Sequence, residues 1–255
     1  MIETEGELSG RRLAPTDALP FRCHAGLACF NSCCRDKRLT LLPYDVVRLR
    51  RALGRSSAEL LAEHAELEIE ASGWPTVRLK LSADGRCPFV REAGCGVYSD
   101  RPTCCRIYPL ARAVRLDGGG EPAHFFLVAE TGARCLGFGA PDAPTVEAWA
   151  RGQGLDEYRA ANDRLTRLLL HPDRPRPLSL SQAELHAAVL ALYNVDVFRE
   201  LVRRPGFAAE ARLPAARVAR AIACDEALLE LSQDWLATRL FGRADARTPR
   251  HYKGP

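Results

Sequence analysis

The chain has 255 residues, a net charge of +4 and a balance of 47% hydrophobic to 27% charged residues, which is enough to bury a sizeable core and too apolar for wholesale disorder. Its start, Met1-Ile2-Glu3-Thr4-Glu5-Gly6-Glu7, has neither the basic opening nor the apolar stretch of a secretory signal, and no later segment approaches the roughly 18 apolar residues of a membrane span. A cytoplasmic location with no membrane association is therefore expected. Only three of the 36 basic residues are lysine and no Lys/Arg run is interleaved with aromatics, which argues against a nucleic-acid partner.

Residues 1–20 read as a polar lead-in. From Phe21 to Arg38 cysteines crowd a stretch with little helical or strand period, a loop shaped by something other than apolar burial. Pro43 opens a helix carrying Val46, Val47, Leu49 and Leu53, which Gly54 stops. Ser56-Ser57-Ala58-Glu59 has capping-box spacing and predicts a short helix to about Ala65. Val77, Leu79 and Leu81 alternate with Arg78 and Lys80 as in a strand, and Asp84-Gly85 is a turn. Ser99 or Asp100 is positioned to cap a short helix that has Pro102 in its first turn and ends at Pro109. Leu110–Leu116 and Ala123–Ala129 flank Asp117-Gly118-Gly119-Gly120 as a β-hairpin.

Everything after Pro144 reads as helical. A short helix is predicted from Thr145 to about Arg151 and a longer one from Leu155 to Leu170. Ser181-Gln182-Ala183-Glu184 is a second capping box, starting a helix to about Arg203 that breaks near Asn194. Pro214 begins the longest helix, which contains Cys224 as a core residue and stops at Gly242. The fold class expected is α+β: a Cys-rich core with short helices and a β-hairpin over residues 21–139, an all-helical region over 140–242, and a flexible tail over 243–255.

The cysteines are the outlier. Nine of ten lie between Cys23 and Cys135, and in a reduced compartment such clustering reads as metal binding rather than disulfides. The first stretch runs Phe21-Arg22-Cys23, Cys29, Cys33-Cys34. The second has Cys87-Pro88-Phe89, Cys95-Gly96-Val97-Tyr98 and Arg101-Pro102-Thr103-Cys104-Cys105-Arg106-Ile107-Tyr108-Pro109, with Cys135 trailing. Thiolates suit borderline and soft metals, four completing a tetrahedral shell, and metal binding can fold a loop that has no core of its own.

These motifs, in this order, resemble the YkgJ-type cysteine-cluster family, the CxxCxxCC group of zinc- or iron-chelating domains. The gaps Cys23-x5-Cys29-x3-Cys33 are wider than that name pattern. The resemblance implies Cys23, Cys29, Cys33, Cys34, Cys87, Cys95, Cys105 and Cys135 as metal ligands, with Cys104 a bystander. An iron–sulfur cluster is favoured over a zinc or iron ion, because only His24 lies within the dense motif and Arg22, Arg35, Arg101, Arg106 and Arg134 flank the ligands as counter-charges. Tyr98 and Tyr108 read as packing residues. The functional expectation is a redox or metal module. Alternatives are an enzyme using the cluster, such as an oxidoreductase or, by similarity to flagellin lysine N-methylases around the cysteines, an S-adenosylmethionine-using lysine methylase, and a metal-stapled scaffold that docks a protein partner.

Overall fold

The structure is a computed structural model that describes residues 11–116, 122–128, 135–175 and 178–242. The start of the lead-in (1–10), the glycine loop Asp117-Gly118-Gly119-Gly120, Arg134 and the tail from Arg243 lie outside the described residues. The fold is α+β, with small antiparallel sheets in the first half and helices gathered in the second. Among the described residues, no helix is long and apolar enough to cross a membrane.

The lead-in joins the body of the protein. Strand β1 (Arg12–Leu13) pairs with β8 (Pro122–Val128), which in turn pairs with β7 (Leu110–Leu116), giving the expected hairpin a third strand. Leu13 and Leu19 are buried there. A second sheet has the order β2-β4-β3, formed by Thr40–Leu41, Pro75–Leu79 and Ala65–Ile69.

Two helices lie between β2 and β3. Pro at the first position and Gly54 in the left-handed region (φ 61°) bound α1 (Pro43–Leu53). The reciprocal Ser56–Glu59 box starts α2 (Ser57–His64), and the chain passes directly into β3 at Ala65, where that helix was expected to stop. A two-stranded ribbon of β5 (Val90–Arg91) and β6 (Gly94–Cys95) precedes α3 (Thr103–Ile107).

In the second half, the Thr145 hydroxyl caps α4 (Val146–Gly152), α5 runs over Leu155–Leu169, and the Ser181 box starts α6 (Gln182–Leu192). The expected break at Asn194 separates α6 from α7 (Val195–Arg203). A four-residue α8 (Phe207–Glu210) follows. The long helix expected from Pro214 is two helices, α9 (Ala215–Ala223) and α10 (Asp225–Phe241), because Cys224 is extended at φ −138°, ψ 129°. Cys224 is half-buried rather than a core residue, and its thiol donates to the Glu226 carboxylate at 3.1 Å.

An ion-pair cluster accounts for the break. Asp225, the first residue of α10, receives Arg50 at 2.5 Å, Arg51 at 2.7 Å and Arg199. Arg199 also donates to the Ala221 and Ile222 carbonyls at the end of α9, satisfying acceptors that a helix end leaves open.

Three apolar groups form the interior. The first joins Leu41, Val46 and Leu49 to Leu165, Leu168, Ala188, Leu192 and Leu236, and so crosses the division expected near residue 139. The second packs Val47 and Tyr158 against Phe198, Phe207, Leu228 and Leu231. The third sets Leu13, Leu19 and Phe21 against Ile107, Leu110, Phe126 and Trp149.

Candidate metal centre

From residue 22 to residue 38 not one side chain is buried, although Phe21 before it and Leu39 after it are. The segment winds through successive turns, with the amides of Leu27, Phe30, Ser32 and Cys34 each donating to the carbonyl three residues back. Asn31 takes a left-handed conformation (φ 66°), which short polar side chains tolerate. Its amide reaches across to the Arg91 and Glu92 carbonyls at 3.1 and 3.3 Å. A loop of four cysteines is thus held by polar contacts with its neighbours rather than by a core.

Three other segments approach it. The Cys87 amide donates to the Cys34 carbonyl at 2.9 Å, and Arg35 bridges Arg86. The β5–β6 ribbon folds Cys95 back opposite Val90, whose amide donates to the Cys87 carbonyl at 3.2 Å. On the other flank Phe21 bridges Phe138, the Arg22 amide donates to the Gly137 carbonyl at 2.8 Å, and the Leu136 amide donates to Cys29 Sγ at 3.2 Å, which brings the Cys135 loop to Cys23 and Cys29. A cavity of about 280 Å³, lined by Arg22, His24, Leu27, Leu136 and Phe138, opens beside this flank.

All ten cysteines are free thiols, and those predicted as ligands are electrostatic neighbours. Cys33 accepts a hydrogen bond from Cys34, which lowers its pKa to about 6 with help from Lys37 and raises that of Cys34. Burial raises Cys23, Cys87 and Cys95. Repulsion from Cys33, Cys29 and Cys135 adds to Cys23, and repulsion from Cys105 adds to both Cys87 and Cys95. Cys105 is raised by its hydrogen bond with Cys104 and then by burial. Cys104, expected to be a bystander, therefore touches the group. His24 stays outside it: the ring nitrogen accepts the Gly26 amide at 3.2 Å in an exposed turn.

In kind, this donor set fits a thiophilic metal: thiols without disulfides, drawn from five segments of the chain. In placement the sulfurs are neighbours rather than a finished shell, since among the described residues no group of three His, Cys, Asp or Glu side chains stands where it could hold a metal ion. The four cysteines of the segment 22–38 sit in a stretch with no fully buried side chain, held mainly by backbone and Asn31 hydrogen bonds.

Two residues around the thiols carry more than the motif suggests. Asp45, at the third position of α1, is fully buried. One carboxylate oxygen accepts the Leu42 amide at 2.8 Å; the other accepts the Thr103 amide at 2.8 Å and its hydroxyl at 2.7 Å. The start of the Cys104–Cys105 helix is therefore held by Asp45, 58 residues earlier, and not by Ser99 or Asp100. The sequence signal was an acidic residue early in a helix opened by proline, but its reach to Thr103 is a tertiary fact. Arg101, 7% exposed, lies 3.9 Å from the Tyr98 ring centroid, donates to the Tyr98 carbonyl and to Gln153, and places a buried positive charge near Cys95 and Cys105. Tyr98 is 61% exposed and serves as the platform for Arg101 rather than as interior packing. Tyr108 does pack, edge-on to Phe21 at 5.9 Å.

Burial pushes the Asp45 carboxyl up to about 6, against the pull of its Thr103 and Leu42 hydrogen bonds and the Arg106 charge. A carboxyl raised above its ordinary 3.8 takes up a proton on folding. Its contribution is complete below about pH 4 and is lost as pH rises through about 6, by up to about 3 kcal/mol. Denaturant unfolding at pH 4, 5, 6 and 7 should show this slope in the native chain and not in Asp45→Asn. Equal slopes in the two proteins would remove Asp45 as its source.

Comparison with known proteins agrees with the cysteine pattern. Residues 22–130 match the model of the CxxCxxCC family, described as "Putative zinc- or iron-chelating domain", and the match supports a metal-binding role. No curated protein and no solved structure matches the chain.

Proposed function

From the match of residues 22–130 to a zinc- or iron-chelating domain, we propose that the thiols of Cys23, Cys29, Cys33, Cys34, Cys87, Cys95, Cys105 and Cys135 bind metal as an iron–sulfur centre and that the chain acts as a redox or metal module. The observation that carries this reading is the run from Arg22 to Arg38, which has four thiols and no buried side chain. Seventeen ordered residues cost on the order of 1–2 kcal/mol each in backbone entropy. With only the half-burial of Leu27 and Phe30 to offset that, metal–thiolate bonds are the natural source of order, as in small domains that fold around their metal.

The choice of iron–sulfur over a mixed Cys/His zinc site follows from the donors. His24 is engaged with its own turn, which leaves a thiol-only set. Four thiolates around a metal carry net negative charge, and the buried Arg101 guanidinium beside Cys95 and Cys105 offsets it. When bound, such a centre supplies one-electron chemistry. The protein's part is to hold the sulfurs through α3 and the β5–β6 ribbon and to limit water on the Cys105 side.

Anaerobic purification, followed by iron, zinc and acid-labile sulfide analysis and a visible spectrum, tests the proposal. Iron and sulfide in matching amounts are expected. Zinc without sulfide would overturn the cluster and the redox role while leaving metal binding intact. Protein free of metal after reconstitution would overturn the reading as a whole.

A further inference from the structure

We propose that the eight thiols divide into two four-sulfur sites joined at the Cys33–Cys34 peptide: Cys23, Cys29, Cys33 and Cys135 form one, and Cys34, Cys87, Cys95 and Cys105 the other. The inference rests on the metal-binding reading above and adds the number of centres and the membership of each.

Backbone contacts define two flanks. On the first, the Phe21–Phe138 bridge, the bond from the Arg22 amide to the Gly137 carbonyl and the bond from the Leu136 amide to Cys29 Sγ tie Cys23, Cys29 and Cys135 together. On the second, the bond from the Cys87 amide to the Cys34 carbonyl and the β5–β6 pairing tie Cys34, Cys87 and Cys95 together. The two flanks also rest on different parts of the interior. Cys135 packs on the group of Phe21, Ile107 and Leu110, whereas Cys87, Cys95 and Cys105 pack on the group of Leu41, Phe89 and Leu165. A centre drawing on both would have to straddle two separate apolar bodies.

The electrostatic neighbours divide in the same way. Cys23 faces Cys33, Cys29 and Cys135; Cys34 faces Cys87 and Cys105 besides Cys33; Cys87 faces Cys105 and Cys95. Cys33 is the exception, since Cys95 and Cys105 also feel it. It is assigned to the first site because the second already has four sulfurs without it, whereas Cys23, Cys29 and Cys135 are tied together as three. Side chains of adjacent residues diverge, so a doublet suits a boundary between two shells better than a place in one. Four thiolates complete a tetrahedral ion site or hold one cubane cluster, and the displaced thiol protons pass to solvent.

Cobalt(II) titration of the reduced full-length protein under anaerobic conditions counts the sites and reports tetrahedral thiolate ligation in the visible spectrum. The native chain should saturate at two equivalents. The double variant with Cys23→Ser and Cys135→Ser should take up one and keep a tetrathiolate spectrum. The double variant with Cys87→Ser and Cys95→Ser should also take up one, and Cys23→Ser combined with Cys87→Ser should lose tetrathiolate binding altogether. The first double variant decides the matter, because Cys23 is exposed and Cys135 only half-buried, and far-ultraviolet circular dichroism confirms that each variant is folded. Saturation of the native chain at one equivalent, or loss of both sites in the first double variant, would overturn the division and leave metal binding standing. No uptake by the native chain would overturn the metal reading and the division with it.

Discussion

Replacing Asp225 by alanine should lower the unfolding free energy by about 3 kcal/mol, toward the low end of the about 3–5 kcal/mol that breaking a buried ion pair costs. The Asp225 side chain is 8% exposed, and two of the guanidinium groups it holds, on Arg50 and Arg199, are 16% and 12% exposed. Without Asp225, Arg50 keeps Asp196 at 3.2 Å and Arg199 keeps the Ala221 and Ile222 carbonyls, so the loss falls at the low end of that range. Arg51, at 42% exposed and with a second partner in Glu226, contributes little to the loss. Against a typical total stability of about 5–15 kcal/mol, that is a substantial share of what keeps the chain folded. Asp225→Asn keeps one of the two acceptor oxygens and should lose less. Chemical denaturation followed at the helical signal provides the comparison, and a loss below about 1 kcal/mol for alanine would mean that the cluster opens to water and does not hold α1, α7 and α10 together.

The second large effect concerns the metal. Cys105→Ser should weaken metal binding at its own site by more than about 100-fold, because loss of an outer partner of a ligand alone costs 10–100-fold, and Cys105 is a proposed ligand itself. Loaded native protein should resist trypsin at Arg22, Arg35, Lys37 and Arg38, all of them exposed. Metal-free native protein should be cut at all four, whereas the Cys105→Ser variant, which keeps the proposed site of Cys23, Cys29, Cys33 and Cys135, should be cut at Arg35, Lys37 and Arg38 and stay protected at Arg22, while the helical half survives in both. Cys224→Ser is the control: its thiol bonds Glu226 at the start of α10 and takes no part in the cysteine group, so metal content should match the native chain. Full metal retention by Cys105→Ser, or metal loss by Cys224→Ser, would refute the ligand assignment at those positions.

What the sequence conveyed was whatever a short window can encode. Pro43 with Gly54, the boxes at Ser56 and Ser181, and the Thr145 cap each act within one helical turn, and α1, α2, α4 and α6 begin where those residues say. The strands β1, β2, β5 and β6 are two residues long, too short to show a period, and exist only through their partners. The break at Cys224 carries no glycine or proline, because it is imposed by Arg50, Arg51 and Arg199 meeting Asp225 from other helices. The candidate site divides in the same manner. Its cysteines were legible as an ordered motif, while the hold of Asp45 on α3, the buried charge of Arg101 and the sorting of thiols onto two flanks depend on approaches across 52 to 117 residues.

The interior shared between the two halves bears on how this protein can be handled. Val46 and Leu49 face Leu165, Leu192 and Leu236 across the whole span of the chain, and Thr103 receives a bond from Asn162 of α5. A fragment ending near residue 139 would carry every thiol of the proposed sites, yet expose a greasy flank that the rest of the polypeptide normally covers, and it should precipitate or self-associate on expression. The stretch that bears the family signature is thus one wall of a single folding unit, and attempts to excise it for spectroscopy should keep the chain intact through α10.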